Sequence, residues 1–326
     1  MSRCSPERGE ATVFAIARRV RLRATEMGAL ARGMLTAETC RGEVHAALTD
    51  AIYLATRAGE LLWLSGNQSS PHRRYVHVAQ PLLDIEPGTP FLVHEGVLEV
   101  GGLQIDLTRA QMWSPSRVGR GVGLAPKELH ARLGILLRVV RDSPDWTAGS
   151  GLLHLVARPP LDGAADIAGA PFLQAMSAAV DRVRVACRRG ALSDVLEAGL
   201  GLAGLGPGFT PAGDDYLGGL LFTLHHLCCA PFGSARWDER LVDDFLAKVR
   251  PHTGWVSHTI LCDLARGHGP GPLHDLIQRL LSASRPAVAD SAGSLCQIGH
   301  SSGRDLLAGA LTARWWMDGA RDGGNR

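Results

Sequence analysis

The chain has 326 residues, of which 45% are hydrophobic and 20% are charged, and its 34 basic and 32 acidic residues leave a net charge of +2. This length fits one large domain or two modest ones, and the near balance of charge argues against a nucleic-acid surface or a polybasic membrane patch. The seven cysteines are irregularly spaced without a CxxC pair, and no apolar run has the length of a signal-peptide core or a membrane span, so we expect a cytoplasmic protein without a disulfide framework or a zinc site.

The first third of the chain contains short alternating segments punctuated by glycine and proline. An Arg-rich pattern over Ala11–Leu35 indicates a helix, so residues 1–41 are interpreted as an N-terminal extension and helix. Further on, Phe91–His94 and Val97–Val100 flank a Glu-Gly turn, which is typical of a hairpin. We therefore expect a β-rich domain over residues 42–115, built as a small barrel or an antiparallel sheet.

Most of the remaining chain has helical periodicity. Apolar residues recur at helical spacing in Pro126–Val140, Trp237–Val249 and Gly303–Trp316. These patterns predict a larger, mainly helical domain over residues 116–317, followed by a polar, disordered tail over residues 318–326. The predicted fold class is therefore α+β, with the β-rich domain first.

The densest local pattern reads GLGPGFTPAGDDYLGG over residues 204–219. Glycines such as Gly206, Gly208 and Gly213 allow positive φ and close approach of the backbone to a ligand, and the two prolines stiffen the loop. An apolar helical run begins at Asp214. A glycine-rich loop that opens a helix directs free N–H groups and the positive end of the helix dipole at a ligand.

Two adjacent carboxylates, Asp214 and Asp215, follow this loop. Neighbouring side chains on a helix diverge by about 100°, so we expect one to cap the helix and the other to face the cleft. Asp214 is the better cap and Asp215 the better ligand contact, although the reverse assignment and a structural role for both stay open. These carboxylates tolerate an anion only if a cation or an amide –NH2 group intervenes. The hydroxyl of Thr210 either bonds a ligand oxygen or closes the turn.

A second small-residue loop, which reads GHSSG, opens the last helix. His300 offers an imidazole for general acid or base catalysis, while Ser301, Ser302 and Gly303 offer hydroxyls and backbone donors. A capping histidine and an N-cap role for Ser302 are the structural alternatives. Arg304 is a candidate partner for a carboxylate or phosphate, or else a surface residue.

These motifs resemble the signature GxGPGxTPxGDDxLxG of the family that includes the AllH-type subunit of oxamate carbamoyltransferase. The similarity is dense over residues 204–219, weaker over Ser257–Gly267, clear over Ile298–Gly309, and loose back to Gly42. The resemblance also implies a β-rich N-terminal half.

The resemblance extends to candidate ligand contacts between the two glycine-rich loops. Arg250, Thr253 and Ser257 match a related run, in which Pro251 and His252 depart from the family's pattern. By resemblance, substrate or phosphate contacts are therefore expected at these three residues as well as in the two loops.

The activity that the resemblance implies is carbamoyl transfer between an amide-bearing carboxylate and phosphate, for example from oxalurate to give oxamate and carbamoyl phosphate. Asp215, His300 and Asp214 are the catalytic candidates, and FdrA-like and other subunits of a hetero-oligomer are the expected partners. One alternative is a non-catalytic subunit that binds a ligand or a partner. Another is a stand-alone enzyme for a related small amide or carbamoyl compound, with Mg2+ at Asp214 or Asp215. No nucleic acid and no membrane is expected as a partner.

Overall fold

The computed structural model of the protein describes residues 20–36, 40–66, 70–80, 82, 84–115, 126–147, 152–157, 171–229, 237–282 and 285–323. Within these residues a β-rich region is followed by a mainly helical one. This order confirms the predicted α+β fold class.

The β-rich region is a closed barrel of mixed strand directions. Its strands are β1 (Val20–Gly28), β2 (Cys40–Leu48), β3 (Ala51–Thr56), β4 (Leu61–Ser65), β5 (Tyr75–Val78), β6 (Pro90–His94), β7 (Val97–Val100), β8 (Leu103–Asp106) and β9 (Gln111–Trp113). The sheet order is β5-β4-β3-β2-β6-β7-β8-β1-β9, and an additional pairing between β5 and β1 closes eight strands into the barrel, with β9 beside β1. Closure pairs the edges that an open sheet would expose.

Alternating side chains fill the barrel. On β3, Ile52 and Leu54 are fully buried, and on β5, Val76 and Val78 are fully buried. Tyr53, which lies between the two buried residues of β3, therefore points away from the barrel core, because successive side chains on a strand face opposite sides.

The Arg-rich pattern predicts a helix over Ala11–Leu35, and this prediction is wrong for Val20–Gly28, because they form β1. Among the described residues of that range, only Ala29–Leu35 are helical, and they form α1. In β1 the buried Leu22 and Ala24 alternate with exposed arginines. The arginines thus mark the outer face of a strand rather than one face of a helix. The division of the chain at residues 42 and 116 stays a prediction.

The second region consists mainly of packed helices. They are α2 (Pro126–Arg141), α3 (Pro144–Thr147), α4 (Leu153–Ala157), α5 (Pro171–Arg189), α6 (Leu192–Gly199), α7 (Ala212–Cys228), α8 (Glu239–Val249), α9 (Trp255–Ala265), α10 (Gly271–Ser282), α11 (Arg285–Cys296) and α12 (Ser302–Gly323). The predicted disordered tail is wrong for residues 318–323, because α12 continues through them; a helix already nucleated gains one backbone hydrogen bond with each further residue. None of the described helices is both long and apolar enough to cross a lipid bilayer.

Helices α7 and α12 pack at unusually short range through two glycines. A Cβ atom on Gly219 would lie 1.9 Å from the carbonyl oxygen of Leu306, and one on Gly309 would lie 1.9 Å from that of Tyr216. The hydroxyl of Tyr216 donates to Thr312 (2.8 Å) and also joins the two helices. This contact sets the two helices, and therefore the two loops that precede them, side by side.

A buried ion pair joins the barrel to the helical region. Arg74, which directly precedes β5, donates from Nε and Nη2 to the carboxylate of Asp263 on α9, at 2.5 and 2.9 Å. Its Nη1 donates to Glu60 (2.9 Å). Such bidentate pairing fixes orientation as well as distance, so the ion pair holds the barrel against the helix that carries Ser257.

We expect Gly219→Ala to destabilise the protein strongly, by about 2 kcal/mol or more, because the added methyl group cannot fit against the α12 backbone. Gly134→Ala in α2 is the matched control, because its Cβ would meet nothing closer than 3.9 Å and the change favours a helix by up to about 1 kcal/mol. Urea denaturation of both variants measures the difference. Equal stability of the two variants would contradict the close contact.

Candidate functional site

The glycine-rich loop before α7 depends on glycine for its conformation. Gly204, Gly206 and Gly208 have φ values of +70°, +125° and +107°, in the region that side chains other than glycine rarely adopt. A Cβ atom on Gly204 would also lie 1.9 Å from the carbonyl oxygen of His252, and one on Gly213 would lie 2.0 Å from that of Leu202. The predicted site glycines thus shape and pack the loop.

Asp214 is a structural clamp and not the predicted helix cap. The cap position belongs to Pro211, and Asp214 lies in the first turn of α7. Its Oδ1 accepts from the N–H of Gly204 (2.7 Å), and its Oδ2 accepts from the hydroxyls of Ser257 (2.7 Å) and Thr253. Because the carboxylate is buried and accepts from three donors, it ties the loop to the start of α9 and has little capacity left for a ligand.

Asp215 lies where the two glycine-rich loops meet. The hydroxyl of Thr210 donates to its Oδ2 (3.1 Å) and lies 3.0 Å from the hydroxyl of Ser302, the first residue of α12. The side chain of Asp215 is buried. The structure thus brings together three predicted site residues, Thr210, Asp215 and Ser302, from helix starts far apart in the sequence.

The electrostatics of this meeting point favour a neutral Asp215. Burial raises its pKa to about 8, assisted by the charges of Asp305 and Asp214 and opposed by hydrogen bonds from Ser302 and Thr210. Removing a carboxylate from water disfavours its charged form, and hydroxyl donors recover only part of the lost hydration. Asp215 therefore carries its proton at neutral pH and can donate it near the pH at which it titrates.

Asp305 is a further buried carboxyl beside this site. Its Oδ1 accepts from the N–H of Leu152 (2.6 Å). Burial raises the pKa of Asp305 to about 6, against hydrogen bonds from Leu152 and Ser301 and the charge of Arg304. The Asp305 side chain thus holds Leu152, which directly precedes α4.

The barrel supplies a residue that sequence analysis missed. The ring of Tyr53 lies 4.9 Å from that of Phe209, measured between centroids, and Phe209 directly precedes Thr210. Tyr53 is one of only three tyrosines, and it alternates with apolar residues on β3. That alternation is a strand signal, but nothing in it indicates which distant loop the outward ring contacts.

The other predicted residues lie around this centre in different environments. Arg250 is exposed in a short 3-10 turn after α8, and His300 is exposed on the turn before α12. Gly303 is buried, and a Cβ there would lie 1.8 Å from the Leu295 carbonyl oxygen.

Arg304 is half-buried, and its Nε makes no hydrogen bond to the described part of the chain. Ser301 reaches Asp305 rather than Asp215. Roles in catalysis or ligand binding stay predictions for all of these residues.

The donor set at the paired aspartates does not suit Mg2+. This ion prefers carboxylate oxygens and retained water, whereas Asp214 already accepts three hydrogen bonds and Asp215 accepts one from Thr210. Among the residues that the structure describes, no group of three or more His, Cys, Asp or Glu side chains is arranged to hold a metal ion.

Comparison with known families matches residues 202–314 to the family model of the oxamate carbamoyltransferase subunit AllH. This match confirms the resemblance seen in the signature loop. It runs from the loop before α7 into α12, so it includes Asp214, Asp215 and Asp305 and leaves out the barrel. The comparisons with curated proteins and with solved structures found no match. As its description states, the family is that of one subunit of an enzyme.

We expect Asp214→Asn to destabilise the chain by about 3 kcal/mol, because an amide replaces a buried carboxylate that accepts hydrogen bonds from three donors. Asp275→Asn, at an exposed position of α10, is the control and should change stability by less than about 0.5 kcal/mol. Urea denaturation at pH 7 measures both. A wild-type midpoint for Asp214→Asn would remove the assigned clamp role.

Unlike Asp214→Asn, Asp215→Asn should raise the stability of the protein relative to the wild type, and this gain should depend on pH. The pKa of Asp215 is raised from 3.8 to about 8 in the folded protein, so the folded state binds this proton more tightly than the unfolded state. The wild type therefore loses stability as pH rises through this window, by about 1.4 kcal/mol per pH unit from this group. The amide does not titrate. We expect the stability of Asp215→Asn relative to the wild type to increase from pH 5 to pH 9, and a difference that is constant with pH would contradict the assignment.

Proposed function

We propose that this chain is the AllH-type subunit of a carbamoyltransferase and that the crevice at Asp215 receives the carbamoyl group of the substrate. The observation that carries the proposal is the position of Asp215 inside the family-matched region, buried and hydrogen-bonded between two helix starts. Strongly shifted pKa values in such crevices are typical of catalytic acids and bases.

In the proposed reaction, phosphate attacks the carbamoyl carbon of oxalurate, and the bond from that carbon to the amide nitrogen breaks. Oxamate leaves, and carbamoyl phosphate is formed. The leaving nitrogen needs a proton, which the neutral Asp215 supplies as a general acid. The carboxylate then takes up the proton that the attacking phosphate has lost, which restores the starting state. The proposal thus prefers Asp215 to the exposed His300 as the group that transfers the proton.

The local charge supports a neutral group at this position. The charges of Asp214 and Asp305 both act on Asp215, and they disfavour an anion in direct contact. A carbamoyl group is uncharged, and its –NH2 and C=O groups match carboxyl and hydroxyl partners. The predicted contact of phosphate with both helix starts is therefore refined: the carbamoyl end lies at Asp215, and the anionic ends lie farther out.

The anionic parts of the substrates require cationic partners, and Arg304 is the proposed one. Its Nε is buried without a hydrogen bond to the described residues, and guanidinium groups bind carboxylate and phosphate well. Arg250, exposed after α8, is a second candidate. We further propose that FdrA-like and other subunits complete the site, because the family's description names a subunit.

Paired ligands test this proposal. Oxamate carries an amide where oxalate carries a second carboxylate. Carbamoyl phosphate carries a carbamoyl group that phosphate lacks. Thermal shifts are measured for all four, with the chain alone and with its co-purified partner subunits. A ligand at one hundred times its Kd stabilises the folded state by about 2.7 kcal/mol. We expect shifts with the two amide-bearing ligands, larger than those with oxalate or phosphate.

Variants locate the binding in the same experiment. Asp215→Asn should weaken the shift with carbamoyl phosphate and abolish transferase activity of the assembled enzyme, whereas Asp275→Asn should behave as the wild type. Equal shifts with oxamate and oxalate, or full activity of Asp215→Asn, would refute the proposed site.

A further inference from the structure

We propose that Tyr53 of the barrel is a substrate-contacting residue of the Asp215 crevice, opposite the two helix starts, and that its phenol recognises the carbonyl oxygen of a planar carbamoyl or carboxamide group. This inference rests on the proposed function and extends it to a part of the chain outside the family-matched residues 202–314.

The first support is the contact between Tyr53 and the signature loop. The Tyr53 and Phe209 rings are 4.9 Å apart and inclined by 44°, which is a favourable aromatic arrangement. Phe209 is 37% exposed, so it lies at the surface of the protein and not in the core. Because Thr210 follows Phe209 and bonds Asp215, Tyr53 touches the loop one residue from the group that holds the carboxyl.

The second support is electrostatic. Burial, together with the charge of Asp215, raises the pKa of Tyr53 to about 12. The phenol therefore stays protonated at physiological pH and lies within range of the Asp215 carboxyl. Among the described hydrogen bonds, none joins the two groups directly. Both can therefore bond the same small ligand, with the phenol donating to its carbonyl oxygen.

The third support is that Tyr53 is held in a fixed place. It is paired across the sheet with Trp63, and their rings are 5.8 Å apart. The Trp63 ring in turn stacks on His72 at 4.8 Å, and His72 Nε2 lies 3.9 Å from Asp263 on α9. Since α9 also carries Ser257, which bonds Asp214, Tyr53 is connected through Trp63 and His72 to the helix that holds Asp214. These contacts keep the ring in a fixed place.

The chemistry of the two walls defines the ligand class. The aromatic wall provides a neutral donor, and the opposite wall provides carboxyl and hydroxyl groups. A flat, uncharged amide satisfies both, with its –NH2 group toward Asp215 and its oxygen toward Tyr53. A dianion of the same size places a second anionic oxygen close to Asp214 and Asp305, whose charges act on Asp215, and this costs desolvation and repulsion.

The test is to remove the Tyr53 hydroxyl alone. Tyr53→Phe keeps the ring contact with Phe209, and Tyr75→Phe is the matched control, because Tyr75 lies on the same barrel and donates to Glu26 instead. Dissociation constants for oxamate and oxalate are measured by calorimetry on the full chain, or on the complex with its partner subunits. We expect Tyr53→Phe to raise the dissociation constant of oxamate by about fivefold and to leave the dissociation constant of oxalate unchanged. The variant should retain the wild-type melting temperature. Tyr75→Phe should leave the preference for oxamate over oxalate unchanged.

The outcomes separate this inference from the function on which it rests. If the wild type does not prefer oxamate to oxalate, the proposed function fails, and the role of Tyr53 fails with it. If the wild type shows the preference and Tyr53→Phe shows it equally, the crevice binds amides without Tyr53, and only this inference is overturned. If Tyr53→Phe weakens the binding of oxamate and oxalate equally, the role of Tyr53 is structural, and this inference is also overturned.

Discussion

The site depends on the close contact between α7 and α12. Two glycines, Gly219 and Gly309, allow each helix backbone to approach the other at distances that a single methyl group would prevent. Once the helices are packed in this way, their N-terminal turns must lie together, and Thr210 can reach both Asp215 and Ser302. Packing along the length of the two helices therefore positions the polar side chains at their N-terminal ends.

Two adjacent aspartates take opposite roles because a helix directs neighbouring side chains away from each other. Asp214 faces donors from the loop and from α9, which hold its carboxylate in place. Asp215 is buried beside two hydroxyls, which compensate less for lost hydration, so its pKa rises. The same residue type thus provides a rigid clamp at one position and a titrating acid at the next.

Sequence reasoning found the signature loop, both helix starts and the order of the two regions, because these depend on local glycine patterns and periodicity. It could not show that Asp214 binds Thr253 and Ser257, since hydroxyl partners some forty residues away leave no local signal. Strand β1 was missed because its alternation lies next to an Arg-rich segment that also fits a helix. Tyr53 was missed for a related reason: a pattern shows which residues point outward but not what they meet.

The anion-binding interpretation of a helix N-terminus changes when its first turn is acidic. Backbone N–H groups and the helix dipole attract negative charge, but in α7 the buried carboxylate of Asp214 already lies in the first turn, and Asp305 adds a further acidic side chain from α12. Because acidic side chains of the protein already interact with the helix dipole, an anionic ligand gains little attraction and is repelled by them. An uncharged amide can still form hydrogen bonds there. In the function proposed for this chain, the side-chain charge around the helix start, and not the glycine loop alone, selects the charge of the bound group. The neutral carbamoyl group then lies at Asp215, and the phosphate lies farther out.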